Sequence, residues 1–127
     1  MAQFERYFTL AEARSELPDL KRIFERVLQL LSELQAAQVE LKRARSLIQG
    51  NGHAVSQPEL HEQLRQLEEL LGQVTSRGIE IKDLARGLVD FPHRRNGEEV
   101  YLCWMYGEED ITHWHTLEGG FAARQPL

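Results

Sequence analysis

The sequence predicts an α+β fold: a long antiparallel helical hairpin, then a small antiparallel β-sheet with a docked C-terminal tail. Three observations carry this. Apolar residues recur every three to four positions as far as Gly78. Glycine and asparagine interrupt that pattern once, at Gly50-Asn51-Gly52. Beyond Gly78 the apolar period switches to two, the repeat of a strand with distinct faces. The 127 residues are one domain's worth, with the hairpin expected over 9–78 and the β-subdomain and tail over 79–127.

Thr9 and Glu12 have the spacing of a capping box, in which each side chain satisfies the other residue's backbone N–H, so a helix is expected to start there. Pro18 removes a donor and crowds the preceding turn, which predicts a short helix, a kink or break, and a long helix from about Asp19. The long helix carries Leu20, Phe24, Val27, Leu31, Leu34, Leu41 and Ile48 on one stripe, widened by Ile23, Leu30, Ala37 and Ala44. Gln49 to His53 supplies a reversal, and Ser56 with Glu59 repeats the capping logic around Pro58. Leu60, Leu64, Leu67, Leu71 and Val74 form the second stripe, which Gly78 closes. A helix of thirty residues extends about 45 Å. The remainder of the chain is too small to cover that length, so part of the stripe is expected to meet a second copy as a homodimer.

Four strands follow: one around Ile79 and Ile81, then Leu88–Phe91, Val100–Tyr106 and Ile111–His115. The third is apolar on both faces and is expected to be central. If Gly107–Asp110 is the last loop, Trp104 opposes His113 and Leu102 opposes His115, which puts both histidines on the face of Trp104. The earlier turn has two solutions. A two-residue Asn96-Gly97 turn sets Asp90 against Cys103, away from the histidines, whereas a five-residue loop brings Asp90 to their side.

The net charge is −5, of which −4 lies in residues 79–127, and this argues against a nucleic-acid partner. No stretch is apolar enough to span a bilayer and no signal-peptide pattern opens the chain, so a cytoplasmic protein without a membrane partner is expected. Cys103 is the only cysteine, which excludes an intrachain disulfide; mid-strand it is read as a small hydrophobe with a raised pKa. His113 and His115 point the same way on a strand and could share a divalent metal such as zinc or iron, with Glu118 or Asp90 adding oxygen. Alternatively they pack beside Trp104 and bond the backbone. Asp90, within an apolar strand, needs a partner, for which Arg86 and Arg124 are candidates. The order Gly119-Gly120-Phe121 followed by Arg124 predicts a tail that folds back, with Phe121 as anchor and Arg124 pairing with an acid or an anionic ligand. Signatures of the common enzyme classes are absent.

The segments Tyr7-Phe8-Thr9-Leu10 with Glu12-Ala13, Gly87 to Pro92, Glu99 to Trp104, Trp114-His115, Gly120-Phe121 and Arg124 to Leu127 resemble a small bacterial family, domain of unknown function DUF2203, over nearly the whole chain. The family brings no activity with it. Asp90, Trp104, His115, Glu118 and Arg124 match its pattern; His113 stands where the family more often has an aromatic such as tyrosine, and Ala123 where it usually has glycine. The resemblance thus favours a ligand pocket of Asp90, Trp104, His115, Glu118 and Arg124 around a single histidine. Three functions are compatible with this reading. One is a dimerising binding or assembly module with a small acid–histidine–arginine pocket, taking a small molecule or a metal. The others are a metal-dependent enzyme, for example a hydrolase, using His115 and carboxylates, and a purely structural helical adaptor.

Overall fold

A computed structural model describes residues 3–47 and 57–127. Helix α1 (Leu10–Ser15) opens on the expected capping box: Thr9 accepts from the Glu12 N–H, and Glu12 accepts from the Thr9 N–H. Glu16 closes α1, and α2 (Leu17–Leu47) starts at once. Pro18 is therefore in the first turn of α2, where its missing N–H costs nothing, and the break falls two residues ahead of it. The expected reversal at Gln49–His53 and the Ser56 cap lie outside the described residues. Helix α3 (Gln57–Thr75) returns antiparallel to α2. Arg77, just past its end, holds Glu16 at 2.8 Å and Asp19 at 3.0 Å, while Arg26 reaches Gln66 further along.

Five antiparallel strands follow in sequential order: β1 (Glu80–Asp83), β2 (Leu88–Arg95), β3 (Glu98–Met105), β4 (His113–Thr116) and β5 (Gln125–Pro126). The apolar-on-both-faces β3 is central, as expected. Asn96 and Gly97, both at positive φ, form the two-residue turn that sets Arg95 against Glu98 and Asp90 against Cys103. Between β1 and β2 the chain turns at Gly87 (φ 64°), where a Cβ would meet the Tyr106 side chain at 2.6 Å. The tail folds back as expected and contributes β5, a fifth strand that the alternation pattern had not resolved.

One face of the sheet packs on the base of the hairpin. Phe8, Leu20, Phe24 and Val27 meet Val74, Val89, Phe91, Leu102 and Trp104 in a single buried core. Trp104 lies at its centre, fully buried, with its ring near Phe24 and its Nε1–H donating to the Glu108 carbonyl at 2.9 Å. Among the described residues of α2, Leu30 is the last buried one; Leu31 and Leu34 are half-buried, and Leu64 on α3 is exposed. The chain has no helix, among the described residues, long and apolar enough to cross a membrane.

Candidate functional site

The face of the sheet turned away from the helices carries the polar residues. Strand alternation places Glu80 and Lys82 of β1, Asp90 of β2, Tyr101 and Cys103 of β3, and His113 and His115 of β4 on that side. This corrects the register expected between β3 and β4. Cys103, not Trp104, opposes His113, and Tyr101, not Leu102, opposes His115. The connection is one residue longer than Gly107–Asp110 implied, and a one-residue offset moves both histidines to the opposite face. Trp104 accordingly belongs to the helical core and is not part of the His115 surroundings.

Side chains from the helices hold that connection in place. Arg14 donates to the Ile111 carbonyl at 3.0 Å and pairs with Asp110, and Lys21 donates to the Glu109 carbonyl at 2.9 Å. Glu108 adds a local lock by accepting from the Met105 N–H. Ile111 is thereby drawn into the core instead of starting β4.

Asp90 and His115 are the two buried polar residues of the chain's described part, each 2 % exposed, and they are partners. His115 Nε2 is 2.9 Å from both carboxylate oxygens, and Nδ1 is 2.7 Å from the Thr116 carbonyl. A carbonyl only accepts, so Nδ1 carries a hydrogen. Unprotonated carboxylate oxygens also only accept, so a further proton must lie between Nε2 and Asp90. The pair is neutral as a whole, whether drawn as imidazolium and carboxylate or as imidazole and carboxylic acid. Burial raises the Asp90 carboxyl above the ordinary range, and the hydrogen bond and charge of His115 offset this only in part. Because both ring nitrogens are engaged, His115 positions Asp90 and is not free to take a proton from a ligand.

Around this pair lies a cavity of about 150 Å³ lined by Lys82, Leu88, Asp90, Tyr101, His115, Leu117, Glu118, Gly120 and Phe121. Its roof is the returning tail. Gly119 is packed so that a Cβ would be 2.9 Å from Thr116 Oγ1 and from the Ala123 side chain, and Gly120 turns at φ 67°. The guanidinium groups of Arg86 and Arg124 each lie over the Phe121 ring, 4.6 Å and 4.8 Å from its centroid. At the rim, Glu80 accepts from Tyr101 at 2.9 Å and from Lys82 at 2.8 Å. Burial raises the Tyr101 phenol, and the bond to Glu80 adds to the rise.

Of the residues expected to converge, Asp90, His115 and Glu118 meet at this cavity. Arg124 does not pair with Asp90. It binds Glu108 at 2.7 Å, and Arg86 lies near Asp83, so the partner of Asp90 is the histidine and neither candidate arginine. His113 shares the face but sends Nδ1 to the Thr112 hydroxyl. The residues missed were Tyr101, Lys82 and, above all, Cys103, whose Sγ joins an Asp90 oxygen and a His115 nitrogen within 4.8 Å of one another. The two-residue Asn96-Gly97 turn, one of the two registers open from the sequence, pairs Asp90 with Cys103; the open register and the misplaced histidines together hid the trio. Burial pushes the Cys103 thiol up to about 12, and the neighbouring Asp90 charge adds to this.

A family model described as "Uncharacterized conserved protein (DUF2203)" matches residues 6–127. The chain belongs to the DUF2203 family. No curated protein and no solved structure matches it. The match runs through every element of this DUF2203 chain from α1 to β5, so helices, sheet and tail all lie within the family's span.

Proposed function

We propose that this DUF2203 chain is a self-associating binding module that takes a small polar ligand in the cavity between sheet and tail. The observation that carries the reading is a buried, neutral, fully hydrogen-bonded Asp90–His115 pair lining a cavity between the sheet and the tail. Burying such a pair is costly compared with packing apolar side chains, and a polar floor under an apolar roof of Leu117 and Phe121 suits ligand capture. Size limits the ligand. Cofactor and drug-sized sites span about 300–1,000 Å³, so about 150 Å³ suits a ligand of a few non-hydrogen atoms and not a nucleotide.

The test is thermal unfolding with a panel of small carboxylates, amines and amides, run in chelator so that metals do not contribute. A ligand at one hundred times its Kd stabilises by about 2.7 kcal/mol, which for a chain of this size raises Tm by roughly 10 °C. Leu117→Trp, which fills the cavity, is expected to remove the shift. No shift for any member, or a shift that survives Leu117→Trp, would refute the reading.

Self-association is favoured by the distal hairpin, where apolar positions continue past Leu30 while burial within the chain declines and Leu64 is 45 % exposed. Light scattering at micromolar concentration is expected to give twice the 14.7 kDa of one chain. A mass of one chain would mean that the stripes are satisfied without a partner.

A further inference from the structure

Three adjacent strands each place one metal-ligating side chain at the same spot on the helix-free face: Asp90 from β2, Cys103 from β3 and His115 from β4. All three are buried, and their donor atoms lie within 4.8 Å of one another. We propose that Asp90, Cys103 and His115 bind one thiophilic divalent cation, with zinc the representative ion and a fourth coordination position facing the cavity.

Charge balance supports this. Without metal the trio holds two exchangeable protons, one on the thiol and one shared between His115 Nε2 and Asp90. Binding one M²⁺ to a thiolate, a carboxylate and a neutral imidazole releases both. The buried charge is zero before and after, so the ion enters without leaving an uncompensated charge in the interior. The imidazole is also already set for the task. Its Nδ1–H donates to the Thr116 carbonyl at 2.7 Å, the outer bond that orients a ligating histidine and makes Nε2 the metal-binding nitrogen once the proton shared with Asp90 is released.

Donor type selects the ion. One sulfur, one nitrogen and one oxygen suit zinc or cobalt and disfavour magnesium and calcium, which require oxygen shells. Bond lengths of about 2.3 Å to sulfur and about 2.0–2.2 Å to nitrogen and oxygen put tetrahedral donors roughly 3.3–3.7 Å apart. The present spacings, from 2.9 Å between Nε2 and Asp90 up to 4.8 Å at most, straddle that range, so side-chain rotations suffice. The fourth position is left to Glu118, which lines the same cavity, or to solvent. His113 shares the face but is not part of the group whose donor atoms lie within 4.8 Å of one another. The proposal stands independently of the organic-ligand reading, since that screen runs in chelator and this one uses metal alone.

The experiment is titration of the untagged full-length chain with Co²⁺. Cys103 is the only cysteine, so a near-ultraviolet thiolate-to-cobalt band identifies its sulfur directly in the unaltered protein. The expected result is that band at one equivalent, with tetrahedral visible absorption, two protons released per ion, and an affinity that falls about 100-fold per unit of pH lowered. Zinc should displace the cobalt. Cys103→Ser abolishes the band and His113→Ala retains it. Asp90→Asn and His115→Gln, if folded by circular dichroism, weaken binding by at least the roughly 10–100-fold that losing an outer-shell partner costs. Absence of binding, or cobalt bound without the thiolate band, overturns the proposal whether or not any variant folds.

Discussion

Trp104→Ala is expected to cost about 3–5 kcal/mol, a large part of the roughly 5–15 kcal/mol that holds a typical domain together. The ring is fully buried at the point where α2, β2 and β3 meet, so its loss leaves a void that no flexible neighbour closes. It also leaves the Glu108 carbonyl without the indole N–H, next to the connection that sets the β3–β4 register. Urea unfolding checks this. Trp104→Phe, which keeps most of the ring volume and loses only the hydrogen bond, should cost clearly less. Equal losses for the two variants would mean that the bond to Glu108, and not the packing, dominates.

Asp90→Ala is expected to cost about 2–4 kcal/mol, and Asp90→Asn about 1 kcal/mol or less. With the carboxylate gone, the shared proton can leave, so the lasting penalty is a buried, unsatisfied Nε2 in place of a buried charge. Asparagine restores a partner, because its amide N–H can donate to Nε2 while Nδ1–H keeps the Thr116 carbonyl. His115→Ala combined with Asp90→Ala should cost less than the two single losses added together, since the pair acts as a unit. The measurement is a double-mutant cycle by urea unfolding in chelator. Additive losses would show that the two residues are independent, contrary to their 2.9 Å contact.

Much of the architecture was legible because it rests on local chemistry. The Thr9–Glu12 cap, the helical stripes, the change of period after Gly78 and the Asn96-Gly97 turn are each decided by residues within a few positions of one another. The glycines and Phe121 of the tail likewise announced a chain that folds back. The candidate site was legible only in part. Asp90, His115 and Glu118 stood out because polar groups in apolar strands need partners, but the partner of Asp90 was assigned to an arginine. Cys103 was read as a small hydrophobe with a raised pKa, which it has, but it was given no role in the site, and neither were Tyr101 and Lys82, because each matters there only through its neighbours across the sheet.

By itself, then, the sequence determined the order of elements, the central strand and the docking of the tail, and narrowed the Asn96-Gly97 turn to two registers, of which the structure adopts the one that pairs Asp90 with Cys103. Tertiary structure alone decided which face His115 occupies. Arg14 and Lys21, some ninety residues earlier in the chain, hold the β3–β4 connection, and Ile111 is buried in the core. A strand's faces alternate at every residue, so this one-residue adjustment, made by contacts distant in sequence, is what brings the imidazole to Asp90 and Cys103 and away from Trp104.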